Sequence, residues 1–217
     1  MTKKETASLA IAALKKAYPD AICSLVYDDP LQLLIATRLS AQCTDARVNK
    51  VTPALFARYP NLEAFCEAEV SEVGAMIHSC GFYQVKSKDI VAMCNRIRDH
   101  FDGKVPDNMA DLLSLPGVGR KTANLILGDI FGKPAIVTDT HCIRIAGRLG
   151  LTKSKAPAKV EEDLRKLLPP AESNDFCHRL VLHGRARCTA RSPSCPDCCL
   201  REICPEGHSI PSDENSK

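Results

Sequence analysis

Leu115-Pro116-Gly117-Val118-Gly119-Arg120-Lys121-Thr122-Ala123 joins a short apolar-periodic segment at 109–114 to a longer one at 121–131. Pro116 stops the first helix, because its ring removes an amide donor and clashes with the turn before it. Gly117 and Gly119 permit positive φ and let the backbone approach a ligand closely. The amides of the turn and of the following helix N-terminus then point the same way, which favours an anion, most simply a phosphate. A tight turn between two packed helices would use the same residues, so the stretch predicts a helical hairpin and leaves its ligand open.

Outward from this hairpin, apolar residues recur with helical spacing at 6–17, 31–43, 46–59, 62–69, 72–80 and 86–101, and again at 140–149, 158–168 and 175–184. Asp45, Asn61 and Ser71 stand where a side-chain oxygen can cap a first turn. Pro53 is expected to split its segment into a turn and a second short helix. Only Ala135-Ile136-Val137 looks extended. The fold class is therefore all-α. The polar residues 205–217 read as a disordered tail.

The chain has 217 residues and a net charge of +3, enough for one large domain or two lobes and too balanced for a polybasic nucleic-acid coat. Charge is uneven, however. Between Cys177 and Cys204 lie Arg179, Arg185, Arg187, Arg191 and Arg201 against Asp197 and Glu202. Such a basic face suits a phosphate backbone, although a solvated face would look the same. Twelve cysteines are present, but no apolar signal core precedes them and no stretch reaches membrane-spanning length. Cys23, Cys43, Cys66, Cys80, Cys94, Cys142 and Cys177 fall mostly along apolar segments and read as reduced small hydrophobes. These features favour a bacterial cytoplasm.

Cys188, Cys195, Cys198 and Cys204 differ from the rest. Their spacing, C-x6-C-x2-C-x5-C, packs four thiols into loops too short and polar to form a core. Soft thiolate ligands suit zinc or an iron–sulfur cluster. Only Cys195 and Cys198 form the short knuckle that structural zinc sites use twice, so the spacing leans toward a cluster without identifying a metal. Cys199 breaks the pattern and reads as a bystander.

Taken together, these stretches are similar to the endonuclease III branch of the helix-hairpin-helix DNA glycosylases. Leu115–Ala123 resembles the family's hairpin, Val137-Thr138-Asp139-Thr140-His141 its catalytic aspartate segment, and Leu39-Ser40-Ala41-Gln42-Cys43-Thr44-Asp45 a further family element. The cysteine pattern resembles its [4Fe–4S] signature, and the elements run in the family's order. The resemblance implies a two-lobed fold with an iron–sulfur cluster loop. One lobe would span 21–131 and carry the hairpin; the other would combine 1–20 with 132–204 and hold the cluster. The catalytic cleft would fall between them.

The activity implied is removal of oxidised pyrimidines from duplex DNA, then cleavage of the abasic site by β-elimination through a lysine Schiff base. The implied partner is double-stranded DNA bearing damaged pyrimidines or abasic sites, met by a monomer that is nucleoid-associated through its substrate and contacts no membrane. Lys121 matches the family's nucleophile. An amine serves only when deprotonated, and about one lysine in two thousand is neutral near pH 7, so a helix N-terminus and burial would help. Asp139 matches the assisting carboxylate, a role that does not conflict with capping the helix at Thr140. Gln42 is implied to fill the gap left by the extruded base, and Phe82 stands where the family has an aliphatic wedge, more often leucine. A core position is the alternative for Phe82. Gly117, Val118 and Gly119 would meet the DNA backbone, Arg191 a phosphate, and His141 the neighbourhood of the active site or a packing position.

Three other readings compete. An adenine-mismatch enzyme of the superfamily would lack the lysine and carry a glutamate before the glutamine loop, whereas 35–44 holds no acidic residue. A mismatch or pyrimidine-dimer glycosylase would differ in pocket shape alone. A non-catalytic DNA-binding module with a structural cluster would keep the hairpin and leave Lys121 and Asp139 as surface residues.

Overall fold

A computed structural model of the chain describes residues 1–208; positions 209–217, most of the expected tail, lie outside the described residues. Residues 205–208 form a helix instead of a disordered segment. All regular structure among the described residues is helical. Ala135, Ile136 and Val137 are buried but build no strand, since no extended neighbour offers a ladder.

The helices are α1 (Lys3–Ala17), α2 (Pro30–Ser40), α3 (Asp45–Arg58), α4 (Leu62–Cys66), α5 (Val70–Met76), α6 (Tyr83–His100), α7 (Met109–Ser114), α8 (Arg120–Asp129), α9 (Thr140–Arg148), α10 (Pro157–Arg165), α11 (Ser173–Ala186) and α12 (Pro205–His208). Single 3₁₀ turns lie at His78–Cys80, Pro170–Glu172 and Arg201–Ile203. They form two compact units, Cys23–Gly132 and Met1–Ile22 with the described residues from Lys133 onward.

In the unit Cys23–Gly132, α4 and α5 pack on α6, α2 packs on α3, α6 and α8, and α7 packs on α8. Leu33, Leu34, Ile35 and Leu39 of α2 are fully buried with Ile90, Met93 and Ile97 of α6 and Phe65 of α4. Each such side chain contributes about 1.5–3 kcal/mol by leaving water. In the other unit, α1 and α9 pack on α11 through Ala7, Ala10, Leu14, Ile145, Phe176 and Leu180.

Local signals decided some boundaries and tertiary packing decided others. Asn61 caps α4 as expected, accepting from Ala64 N at 2.9 Å. At α3 the cap is Thr44, whose Oγ1 accepts from Arg47 N; Asp45 sits in the first turn, where its charge suits the helix dipole. Ser71 caps nothing: α5 begins at Val70 behind Glu69, which makes no side-chain cap. Burial of Val73 and Gly74 on that short helix sets its position instead. Pro53 lies inside a continuous α3 and does not split it. Val48, Thr52 and Leu55 bury one face of α3, and that packing outweighs the lost amide.

Candidate functional site

The hairpin is held from below by apolar residues and from the side by an ion pair. Leu115 and Val118 are buried, and Val118 N–H donates to Leu115 O at 3.2 Å. Val118 thus anchors the turn, leaving Gly117 and Gly119 as its exposed backbone. Gly117 takes φ +74°, and a Cβ there would come within 2.9 Å of Arg38 and Asp89 side-chain atoms. Those two residues form a two-pronged pair across α2 and α6, Nε to Oδ2 at 2.8 Å and Nη2 to Oδ2 at 2.7 Å. Gly119 departs from expectation: its φ is −99°, open to any residue, and its place is that of N-cap to α8. With no side chain at this cap, the first-turn amides of α8 receive no side-chain acceptor from it. Lys121, the second residue of α8, is exposed.

Gln42 and Phe82 share an unusual backbone. They take φ +54° and +49°, and Asp102 is the other non-glycine with positive φ among the described residues. A left-handed conformation costs such residues roughly 1–2 kcal/mol and persists only where the surroundings impose it. Phe82 is 66 % exposed, which sets aside the core alternative for it. Gln42 is exposed on the loop after α2. Together with Arg38, Ala41, Val85 and Lys86 they line a pocket of about 210 Å³.

Lys86, on the first turn of α6, is 1 % exposed, and its position gave no signal beyond a helical apolar face. Its Nζ donates to Leu39 O at 2.8 Å and Cys80 O at 2.9 Å. Burial pulls this amine below the ordinary lysine range, against the pull of Cys43 and Cys80. Burial likewise pushes the Cys80 thiol up to about 11.

The remaining residues lie in the other unit. Asp139 is the N-cap of α9, its Oδ1 accepting from Cys142 N at 2.7 Å, and it is half-buried. His141 stacks over Gly184 of α11, where a Cβ would collide with its ring, and its Nδ1 lies 3.1 Å from Arg144 Nη2. Packing is thus one clear role of His141. Arg191 is exposed in the loop between Cys188 and Cys195. The expected basic face loses one member: Arg179 is 3 % exposed and pairs with Asp175 and Glu172. Its i,i+4 spacing to Asp175 was the signal for that pairing.

Cys188, Cys195, Cys198 and Cys204 line one cavity with Arg148, His183 and the apolar Ile145, Leu149 and Leu200. Cys199 is exposed and is not among the lining residues. Polar groups surround the sulfurs. Arg148 Nη1 donates to Cys188 Sγ at 3.1 Å, Leu200 N to Cys198 Sγ at 3.4 Å, and His183 Nε2 lies 3.5 Å from Cys198 Sγ. His183 is fully buried and meets Tyr18 Oη through its other nitrogen at 3.1 Å. Neither Arg148 nor His183 was singled out by sequence, because each joins the thiols only through folding of α9 and α11. Burial pushes the Cys195 and Cys204 thiols up, and at Cys195 it outweighs the opposing pull of Arg148 and Arg201. Among the described residues no three such ligands converge on a single ion. Four thiols on one cavity wall with N–H donors directed at sulfur nevertheless fit a thiolate-bound group larger than one ion.

Residues 35–170 match the HhH-GPD superfamily base excision DNA repair protein family. The chain is 51 % identical over 205 residues to an endonuclease III of Synechocystis sp., with 94 % of each chain covered. It is 39 % identical to endonuclease III of Escherichia coli (strain K12), covering 89 % of this chain and 92 % of that one. Among solved structures, a trapped endonuclease III–DNA covalent intermediate, an estranged-adenine complex, superposes with a TM-score of 0.91 at 41 % identity. That match covers 96 % of this chain and 99 % of the other. A thermostable thymine-DNA glycosylase shares the fold, with a TM-score of 0.85 at 21 % identity.

Proposed function

Because the chain belongs to the endonuclease III family, within the HhH-GPD superfamily of base excision DNA repair proteins, we infer that it excises damaged bases from duplex DNA and cleaves the abasic site left behind. It is a DNA glycosylase and abasic-site lyase. The finer reading is that its substrates are oxidised pyrimidines, that Lys121 is the nucleophile and that it acts as a monomer. The observation that carries it is the exposed amine on the uncapped first turn of α8, in a chain 41 % identical to one trapped covalently on DNA.

The chemistry follows from the residues. A base stacked in the duplex hides C1′, so the nucleotide must first be extruded. Phe82 enters the stack as a wedge, and Gln42, with amide donors and an acceptor, occupies the gap opposite the partner base. Backbone amides of Gly117, Gly119 and the α8 first turn hold a phosphate, with Val118 fixing the turn beneath them. Arg191 supplies a further phosphate contact, and His141 lies two residues from Asp139 on the same cap. The Lys121 amine attacks C1′, the N-glycosidic bond breaks, and the base leaves with a proton. Ring opening yields an imine between Nζ and C1′. This imine acidifies the C2′ proton; its removal expels the 3′ phosphate and nicks the strand. Hydrolysis of the imine then frees Lys121. Asp139 holds negative charge near the sugar as positive charge develops there.

Cys188, Cys195, Cys198 and Cys204 would ligate a [4Fe–4S] cluster, which when bound ties their loop into one structure and holds Arg191 toward DNA. Cys195→Ala is expected to lower iron and sulfide per chain and to weaken DNA affinity, read by iron analysis and a binding titration. Full iron content in that variant would contradict the assignment.

Substrate range is read by single-turnover excision on duplexes carrying an oxidised pyrimidine, a thymine mismatch or a pyrimidine dimer. The oxidised pyrimidine is expected to be excised faster by on the order of a hundredfold or more, since a pocket shaped for one base rejects others through unpaired polar groups. Faster release from the mismatch or the dimer would move the assignment to those specialists.

A further inference from the structure

Lys86 is costly where it stands. A buried ammonium needs compensating partners, and an apolar side chain on this face of α6 would serve the core without them. What the ammonium reaches is specific. Leu39 O lies in the last turn of α2, three residues before Gln42; Cys80 O ends the 3₁₀ turn His78–Cys80, two residues before Phe82. Both acceptors belong to C-terminal ends of helical segments, where carbonyls lack intrahelical donors and a cation is favoured. One side chain thus clasps the two chain segments that lead into the two strained, exposed residues of the pocket. The left-handed backbone at Gln42 and at Phe82 requires such outside support.

We propose that Lys86 is a positioning residue that locks the Gln42 loop and the Phe82 turn into one rigid pair, so that wedge and gap-filler enter the duplex together. The proposal rests on the reading that Gln42 and Phe82 enter DNA. Lys86 itself touches neither DNA nor the reacting atoms. Without its ammonium the two carbonyls lose their common donor and the two tips no longer hold a fixed separation. Opening of a paired duplex then slows, while chemistry on a site needing no gap-filling does not.

The test compares two duplexes, one with the lesion paired to a normal base and one with the lesion opposite a base-less sugar analogue. Lys86→Met, Lys86→Arg, Gln42→Ala and Phe82→Ala are assayed on both by single-turnover excision, with folding checked by circular dichroism. Lys86→Met is expected to lose roughly ten- to a hundredfold on the paired duplex, the scale of a misplacement near 1 Å, and to match the wild type on the other. Lys86→Arg, which keeps a cation and donors, is expected to recover most of the paired-duplex rate. Equal loss on both duplexes, or no loss on the paired one, overturns the proposal. If Lys86→Met does not fold, Lys86→Gln carries the same comparison. Duplex-selective loss in Gln42→Ala and Phe82→Ala but not at Lys86 overturns the Lys86 role alone. Absence of that selectivity in Gln42→Ala and Phe82→Ala removes the reading beneath it and the proposal with it.

Discussion

Lys121→Gln is expected to lower single-turnover strand cleavage at an abasic site by at least about ten-thousandfold, since loss of a covalent nucleophile costs up to roughly a millionfold. Lys121 is exposed at the second position of α8, and nothing in the core depends on it. Its replacement should therefore change stability by no more than about 0.5 kcal/mol. Affinity for an abasic duplex should persist, because the hairpin backbone, Arg191 and the wedge are untouched. Loss of cleavage with binding and melting temperature retained assigns the chemistry to this amine. A variant that still nicks at the wild-type rate places the nucleophile elsewhere.

Asp139→Asn separates capping from catalysis. Asn and Asp are equally good N-caps, so the bond from Cys142 N, 2.7 Å long in the structure, survives the change. α9 and its contact with α11 should stay intact, with a melting temperature near that of the parent. Excision should nevertheless fall by on the order of a hundred- to a thousandfold, because an amide carries no net charge to stabilise the developing cation. Asp139→Ala is the companion: it should lose activity and also about 1 kcal/mol of stability with the cap. Wild-type excision in folded Asp139→Asn would reduce Asp139 to a cap and nothing more.

Much of the fold was legible because it was local. The helical periodicities, the Asn61 and Asp139 caps and the Leu115–Ala123 turn are each written within about ten residues of chain. What was misread depended on packing. Pro53 reads as a breaker until burial of Val48 and Leu55 makes a continuous α3 favourable. Ser71 reads as a cap until α5 is positioned by its buried face. Phe82 reads as either core or surface, and only the fold, by placing it at a left-handed corner, exposes it.

The candidate site follows the same division. Four cysteines at C-x6-C-x2-C-x5-C announce a shared purpose in one glance at the chain. Arg148 and His183, which approach their sulfurs, lie 40 and 15 residues away in sequence from their partners. Lys86 was silent because a lysine on an apolar helix face looks like a surface residue. Its role depends on two carbonyls, 47 and six residues distant, that converge only in the folded unit.

The most direct test of the central claim is borohydride trapping of the unaltered protein on a duplex containing one oxidised pyrimidine, followed by peptide mapping of the adduct. Reduction of the imine joins Nζ to C1′ permanently, so the modified peptide identifies the nucleophile. A single adduct on Lys121 is expected, with the damaged base released. An adduct on another amine, or base release with no adduct, would contradict it.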